Sequence, residues 1–333
     1  MKTVLNLSQE QRNTIFEVTA REMRVRPIIV EKDFWVCVVL NYLLNESKFK
    51  DILIFKGGTS LSKCYGVIKR FSEDVDLILK WDALGFSDQE VFKSRSITQS
   101  SKFELQMNEK GAEFIQKEIK NDLVNNFSSK IEGLSIETDE NDPMVIYINY
   151  PHVGNDLYIR SLIKLEIGPV AAKTPSELIK IKPYYNNYFR LEGDDSDFQV
   201  NAVSIERTFW EKVLILHGEA NRPLQKKMPM RYFRHYYDVV MIYKSSYFNK
   251  VLNSLNLFEK VKQFKSKYYR NSWSKIDECS LTTLKLIPGN ERLVELRKDY
   301  ESMKEMFFDG TPRFEDILSD LKDLETLFNN IGD

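Results

Sequence analysis

The chain is poor in the residues that build disulfide frameworks and zinc sites. Its 333 residues include only three cysteines and three histidines. The cysteines are odd in number and widely spaced, without a CxxC pair, so we expect reduced thiols in a cytoplasm. The histidines are too scattered along the chain to indicate a zinc site. The six residues are Cys37, Cys64, Cys279, His152, His217 and His235.

The chain also lacks an excess of charge of one sign and a long apolar segment. Its formal net charge is −1, so a nucleic-acid site would have to be a local basic patch. Residues 1–13 contain no apolar region of a signal peptide. The longest apolar run, 34–44, is interrupted and too short to cross a bilayer. These absences predict a cytoplasmic protein without a membrane partner.

What is present is a pattern for two domains. The length favours two, and the 42% hydrophobic content is enough for sizeable cores. Residues 1–200 contain both helical and strand patterns, which predicts an α+β domain with a mixed or antiparallel sheet, whereas 201–333 predicts an all-helical domain. Helices are expected after the capping box at 8–11, from Pro27, and over 61–69 and 104–126, with a loop over 82–100. The expected strands are 52–55, 75–79, 134–137, 145–150, 158–167 and 178–183.

The most informative stretch is residues 56–79, KGGTSLSKCYGVIKRFSEDVDLIL. Residues 57–60 (GGTS) form a small-residue turn, and the N–H groups of such a turn can hold phosphate. Asp74 and Asp76 are two residues apart on a predicted strand, so both side chains point to one face. Neighbouring carboxylates repel each other unless a cation lies between them, and Mg²⁺ prefers such oxygen ligands. The stretch therefore predicts metal-assisted phosphoryl chemistry on a nucleotide.

Two further residues are candidates for the same site. Lys63 lies one turn inside the predicted helix as a nucleotide-binding cation, and Glu166 lies on a predicted strand as a third metal ligand. Plainer interpretations exist: a glycine turn is often only a turn, and an aspartate pair often lies on a solvated strand edge. Glu166 also shares a strand face with Lys164, as in a surface ion pair. The order in which the elements occur together is what favours a nucleotide site.

That order is typical of the nucleotidyltransferase superfamily of polymerase-beta type, and the chain resembles the AbiEii/AbiGii toxin family within it. Four segments carry the resemblance and span most of residues 30–242. They are VEKDFWV at 30–36, FKGGTSLSKCY through RFSEDVDL at 55–77, SIERTFWEKVLILH at 204–217 and RYFRHYYDVVMI at 231–242.

The resemblance implies a nucleotidyltransferase domain followed by a helical domain that contributes to one site between them. It implies Mg²⁺ or Mn²⁺ as the cofactor and an NTP as a substrate. Lys212 would approach the phosphates, and Asp238 would be a further catalytic residue; an exposed helix lysine and a buried aspartate that holds nearby arginines are the plainer interpretations. The implied metal ligands are Asp74 and Asp76, with Glu166 in the third carboxylate position. The nucleotide-binding candidates are Gly57, Gly58, Thr59, Ser60 and Lys63.

A basic run interleaved with aromatic residues follows the Lys212 segment. Cations for the backbone and aromatic rings for stacking are what single-stranded nucleic acid requires. The alternative is a solvated loop beside an aromatic stripe that faces the core. The candidate RNA-binding residues are Lys226, Lys227, Arg231 and Arg234, and the aromatic residues are Tyr232, Phe233, Tyr236 and Tyr237.

The leading hypothesis is Mg²⁺-dependent transfer of NMP from an NTP to an RNA 3′ end, with tRNA favoured by the resemblance. The resemblance further implies a growth-inhibiting toxin neutralised by a cognate AbiEi-like antitoxin that binds DNA. Two alternatives stay open. One is nucleotidylation of a protein side chain, as in AMPylation, and the other is a non-catalytic NTP-binding module.

Overall fold

The computed structural model describes residues 1–72, 74–152, 161–189, 196–308 and 310–331. Within these ranges the chain forms two compact units. The first, the sheet unit, comprises 1–64 and 71–203. The second, the helical unit, comprises 65–70 and 204–333.

The first helices of the sheet unit begin where the sequence places capping residues. In the predicted capping box, the main-chain N–H of Gln11 donates to Ser8 Oγ at 3.2 Å, and that of Ser8 donates to Gln11 Oε1 at 2.9 Å. Pro27 occupies the first turn of the next helix, as predicted. The helices are α1 Lys2–Leu5, α2 Gln9–Met23, α3 Pro27–Asn41, α4 Gly57–Lys63, α5 Asp88–Phe92 and α6 Ile97–Phe114, and π-helical turns at Ile115–Lys120 and Leu123–Phe127 follow α6.

Helix α5 and the start of α6 lie inside the region predicted as a loop, 82–100. Each begins at a capping box, Ser87 with Glu90 for α5 and Ser96 with Gln99 for α6. The loop prediction is wrong there, because a serine followed three residues later by Glu or Gln favours a helix start over a loop.

Seven strands lie in the part of the chain that the structure describes: β1 Leu53–Lys56, β2 Asp74–Leu79, β3 Ser135–Thr138, β4 Val145–Asn149, β5 Leu162–Gly168, β6 Ser176–Ile181 and β7 Phe198–Val203. They form one sheet in the order β3-β4-β5-β2-β1-β7-β6. Strands β2 and β5 are parallel, as are β1 and β7, and the other neighbours are antiparallel. The sheet is mixed, which confirms that part of the predicted α+β fold.

Two strands differ from the sequence-based expectation. Strand β7 is not predicted, and the domain boundary expected after residue 200 falls inside it. Of the expected strand 158–167, residues 158–160 lie outside the described ranges, and the observed strand β5 begins at Leu162.

Alternating burial on β5 separates the two faces of the sheet. Ile163 and Leu165 are buried in the same apolar core as Phe34 of α3. Lys164 and Glu166 lie on the opposite, half-exposed face. The pattern LIKLEIG therefore places its charged side chains on one face and its core residues on the other, as predicted.

The helical unit is built around aromatic residues on its first long helix. Ser204 caps that helix, and the ring centroid of Trp210 lies 5.0 Å from that of Phe328 and 5.2 Å from that of Phe258. No helix in the described ranges combines the length and the apolar composition needed to cross a membrane. The helices are α7 Ile205–Ala220, α8 Phe233–Tyr243, α9 Phe248–Leu252, α10 Asn256–Tyr268, α11 Asn290–Met303 and α12 Phe314–Ile331.

Candidate active site

The predicted metal ligands lie in neighbouring strands on the half-exposed face of the sheet unit. Asp74 and Asp76 lie on β2, and the residue between them is buried, so both carboxylates occupy the same face. Parallel pairing with β5 places Lys164 opposite Asp74. The next pair in register joins Glu166 to Asp76, and antiparallel pairing with β1 places Lys56 on the other side of Asp76. Asp74, Asp76 and Glu166 together are the carboxylate row.

Gly57 connects β1 to α4 and lies directly against Asp76. Its φ is +83°, which residues with a side chain rarely adopt. A Cβ at this position would lie 1.9 Å from Asp76 Oδ2. The hydroxyl of Thr59 donates a hydrogen bond to the main-chain carbonyl of Asp74. The glycine turn and the aspartate strand are therefore built against each other.

The helix that follows begins earlier than the sequence predicts, at Gly57 rather than Leu61. The Ser60 hydroxyl is buried and donates to the carbonyl of Gly57 at 2.9 Å, and the Thr59 hydroxyl is already used on Asp74. These two hydroxyls therefore support the turn in this arrangement. Among the described residues, no side chain caps the start of α4. The main-chain N–H groups of 57–60 are the groups that this turn offers to a phosphate.

Lys63 lies in a buried ion pair instead of on the face of the carboxylate row. Its Nζ lies 2.6 Å from Asp33 Oδ1 of α3 and donates to the carbonyl of Lys182 at 2.7 Å. The main-chain N–H of Tyr184 donates to the other oxygen of Asp33 at 2.7 Å. Burial lowers the pKa of Lys63, but Asp33 outweighs it and the net pKa is raised. We therefore interpret Lys63 as the anchor of α4 to α3 rather than as a phosphate ligand.

A cleft of about 270 Å³ opens beside the carboxylate row. Asp76, Glu166 and Lys164 line it. The Lys164 ammonium is hydrogen-bonded to Glu166 Oε1, which is the ion pair that the shared strand face allows. Burial lowers the pKa of Lys164, but Glu166 and Asp74 outweigh it, so the net pKa is raised. Lys164 is thus a cation held among the predicted metal ligands.

The helical unit holds a second cluster of charged residues, around Asp238 of α8. Asp238 is fully buried, and Arg70 donates to both of its carboxylate oxygens at 2.7 Å. The Nζ of Lys212 on α7 lies 2.8 Å from Asp238 Oδ2. Burial raises the pKa of Asp238, but Arg70 and Lys212 outweigh it and hold the pKa below its ordinary value. Asp238 therefore fixes the two cations in place.

Arg70 is a member of this cluster that sequence reasoning missed. Its segment, 65–70, packs within the helical unit through main-chain bonds. The N–H of Lys69 donates to the Tyr237 hydroxyl at 3.0 Å, and the Lys69 carbonyl accepts from Phe308 N–H at 3.1 Å. The local signal is only the basic VIKR segment before the aspartate pair, and it does not reveal that the arginine is buried against an acidic partner.

Comparison with known proteins decides the family. A sequence model of the family described as "Nucleotidyl transferase AbiEii toxin, Type IV TA system" matches residues 39–328. The chain belongs to this family. It is therefore a nucleotidyltransferase of the toxin–antitoxin class, which confirms the predicted family and enzyme class. A type IV toxin family implies an antitoxin partner, and a nucleotidyltransferase implies an NTP substrate.

Two solved structures are similar over most of the chain. One is a putative nucleotidyltransferase from H. pylori, with 16% identity, 90% of this chain and 93% of that chain covered, and a TM-score of 0.42. The other is the nucleotidyltransferase toxin MenT4 from Mycobacterium tuberculosis, with 16% identity, 86% and 98% covered, and a TM-score of 0.37. No curated protein matches the chain.

Nucleotidyltransferases typically use a divalent metal, and the carboxylate row has the chemistry to hold one. Its donors are all carboxylate oxygens, which hard cations prefer, and Gly57 leaves room for Asp76 where any Cβ would displace it. Within the described ranges, no three acidic, histidine or cysteine side chains are arranged as a ready metal site. Glu166 is turned to Lys164 by their ion pair, so it must reorient before it joins the two aspartates.

The contact between Gly57 and Asp76 gives a first prediction. We expect Gly57→Ala to lower nucleotidyl transfer about a hundredfold, because the new Cβ displaces the Asp76 carboxylate and a displacement of about 1 Å can cost that much. The strained φ should also cost about 1–2 kcal/mol of stability. Steady-state kinetics and thermal unfolding of the same preparation measure the two effects.

Gly85→Ala is the matched control for this variant. Gly85 has a φ of +82°, close to that of Gly57, but a Cβ there would meet nothing within 4 Å. It should therefore lose a similar amount of stability and keep its activity. Equal loss of activity in both variants would show that the steric contact with Asp76 is irrelevant.

Three of the aromatic residues expected to stack on RNA bases are buried. Phe233, Tyr236 and Tyr237 are buried, so these rings belong to the core of the helical unit, as the alternative interpretation holds. Lys226, Lys227 and Arg231 are exposed, and Arg234 is partly exposed. The loop that carries them is held by Arg292, whose Nη2 donates to the carbonyls of Pro223 at 2.8 Å and Lys226 at 3.1 Å. Lys226 and Lys227 thus lie at the surface, whereas the buried rings are not available for stacking.

Proposed function

We propose that the protein transfers NMP from an NTP to the 3′ end of an RNA, with tRNA as the expected acceptor, and that Mg²⁺ is its cofactor. The carboxylate row with its fitted glycine turn, in a chain of this toxin family, is the observation that supports the proposal. In the reaction, the RNA 3′ oxygen bonds to the α-phosphorus, the bond to the pyrophosphate oxygen breaks, and the hydroxyl proton passes to a carboxylate of the row.

Residues of the sheet unit would hold the donor nucleotide. Asp74, Asp76 and Glu166 would bind the metal, which offsets charge on the attacking and leaving oxygens. The main-chain N–H groups of residues 57–60, that is Gly57, Gly58, Thr59 and Ser60, would contact the triphosphate. This arrangement orients the α-phosphorus for in-line attack and leaves the acceptor to be bound by other residues.

We propose that Lys212 and Arg70 supply further positive charge at the triphosphate, with Asp238 as the residue that positions both. The family motif supports this assignment for Lys212 and Asp238. Arg70 joins the assignment because it donates to both carboxylate oxygens of Asp238. The nucleotidyltransferase domain would then be 1–200, with 201–333 completing its site.

The biological role would be inhibition of growth, relieved by a cognate antitoxin. The type IV family supports an antitoxin partner, and an AbiEi-like, DNA-binding protein is the one that we propose. A cytoplasmic location fits the three cysteines, all of which are free thiols in the structure.

The acceptor is tested with each of the four NTPs labelled at the α-phosphorus, incubated with protein, Mg²⁺ and total RNA. We expect label in RNA of tRNA size. RNA that is oxidised with periodate before the incubation should take up no label, because the oxidation destroys the 3′-terminal diol. Label in protein alone would establish the AMPylation alternative instead. Absence of label in any macromolecule would favour the non-catalytic alternative.

The exposed cations of the helical unit give a second prediction. The double variant Lys226→Glu/Lys227→Glu should weaken binding of tRNA of any sequence and reduce the slope of log K against log salt by about two, because we propose that each lysine contacts one phosphate. Binding of the NTP should be unchanged. Filter binding over a series of salt concentrations measures the slope.

The control is Lys260→Glu/Lys298→Glu, which makes the same change in net charge at two exposed lysines elsewhere in the helical unit. An equal loss of affinity in this control would mean that RNA senses only the overall charge. The loop at 222–231 would then have no special part in binding RNA.

A further inference from the structure

Lys164 is a cation that lies beside the carboxylate row. By strand register it lies opposite Asp74, and its ammonium is ion-paired with Glu166, two residues further along the same face of β5. The side chains of Lys164 and Glu166 are 33% and 38% exposed, so the pair is open to solvent and can exchange its partners. The ammonium of Lys164 therefore takes up one of the carboxylates that a metal in the row would need.

The charges around the cleft show why a cation is needed there. Four carboxylates and two lysines line it. The lining is therefore net negative, and a triphosphate would be repelled without further cations. The carboxylates are Asp76, Asp139, Asp142 and Glu166, and the lysines are Lys56 and Lys164.

We propose that Lys164 is an internal counter-cation that competes with the metal for Glu166 while no nucleotide is bound. This inference rests on the proposed function. When an NTP brings additional negative charge, the flexible lysine turns to the phosphates and releases Glu166 to the metal. Lys164 thereby weakens metal binding by the free enzyme and makes it depend on the nucleotide, so that the complete site assembles only around a substrate.

A second ion pair in the sheet unit serves as a comparison for the pair of Lys164 and Glu166. Lys180 on β6 lies 2.8 Å from Asp197 Oδ2, with exposed fractions of 65% and 34%. It is also a solvent-open lysine–carboxylate pair, but neither residue belongs to the carboxylate row or lines its cleft. Lys180→Met is therefore the matched control for Lys164→Met.

The test is titration of Mn²⁺ into nucleotide-free protein, followed by the electron paramagnetic resonance signal of free Mn²⁺. We expect Lys164→Met to bind Mn²⁺ about tenfold more tightly than wild type, which is the effect of removing one positive charge about 6 Å from a divalent ion in a water-like dielectric. Lys180→Met should bind as wild type does. With a non-hydrolysable NTP analogue present, wild type and Lys164→Met should differ by less.

Several outcomes would overturn the proposal. One such outcome is unchanged or weaker Mn²⁺ binding in Lys164→Met. If Lys164→Gln gives the same result, and circular dichroism shows that both variants are folded, Lys164 is an ordinary ion-pair partner or a phosphate ligand. The metal site of the proposed function would still stand after that outcome if wild type binds Mn²⁺ and Asp76→Asn does not. If wild type shows no binding that depends on Asp76, with or without the NTP analogue, both proposals fail.

Discussion

Replacing Asp76 with asparagine should lower the rate of nucleotidyl transfer at least about a thousandfold and leave the fold intact. Asp76 is the central member of the carboxylate row, beside Glu166 on one strand and against Gly57 on the other side. A metal in this role contributes several kcal/mol to the transition state, and each 1.4 kcal/mol or so is a factor of ten in rate. Asparagine keeps the shape of the side chain but removes the charge that the metal needs.

Stability should change little in this variant, because the substitution relieves the repulsion between two neighbouring carboxylates, which offsets the interactions that Asp76 loses. Single-turnover rates and thermal unfolding are the measurements, with Asp74→Asn as a second member of the row expected to behave alike. Asp197→Asn, which removes a carboxylate from a surface ion pair in the same unit, is the control and should retain full activity. A large loss of stability in Asp76→Asn, together with retained transfer, would assign this residue a structural role.

Asp238→Asn should destabilise the protein by about 3–5 kcal/mol at neutral pH. The substitution leaves Arg70 and Lys212 buried without their shared counter-charge, and uncompensated buried charges cost about that much. Urea unfolding at pH 7 measures the change. Asp320→Asn, which breaks the more exposed pair with Lys244, should cost no more than about 1 kcal/mol.

The pH dependence of this difference follows from the direction of the Asp238 pKa. Arg70 and Lys212 hold it below the ordinary value, so the folded state favours the ionised form and the stabilisation is fully present at neutral pH. It is lost progressively as the pH falls below about 4, the ordinary value for aspartate. Wild type and Asp238→Asn should therefore converge in stability at acid pH, and a constant difference would contradict an ionised Asp238.

A comparison with Lys212→Met separates positioning from direct contact with the nucleotide. Because Asp238 keeps Arg70 as a partner in that variant, we expect a smaller loss of stability than in Asp238→Asn. Transfer should still fall strongly, since the ammonium itself is proposed to meet the phosphates. If Lys212→Met loses as much stability as Asp238→Asn and its transfer rate is unchanged, the cluster of Arg70, Lys212 and Asp238 has only a structural role.

The sequence predicts which site residues share a strand face, because this depends only on residues that are close together in the chain. A period of two fixes which face Asp74 and Asp76 share, and the same rule places Lys164 beside Glu166. Strand β7 was missed because its residues, FQVNAV, follow a polar stretch that resembles a linker. Pairing β7 with β1 requires the rest of the sheet, which no local window contains.

Side-chain partners from distant parts of the chain could not be predicted in the same way. Spacing favours a phosphate-binding role for Lys63, because it does not reveal Asp33, thirty residues earlier, as the partner of this lysine. The bond between Arg70 and Asp238 spans 168 residues. Burial of both ion pairs depends on how helices pack, and a buried lysine and an exposed one have the same local sequence signal.

The most direct test of the central claim uses wild-type protein, total RNA and Mg²⁺ with each NTP labelled either at the α- or at the γ-phosphorus. If the carboxylate row serves nucleotidyl transfer, the α-label of at least one NTP will enter RNA, and the γ-label will leave entirely as pyrophosphate. Entry of the γ-label into RNA would identify phosphoryl transfer instead. Absence of either label from RNA with all four NTPs would contradict the account.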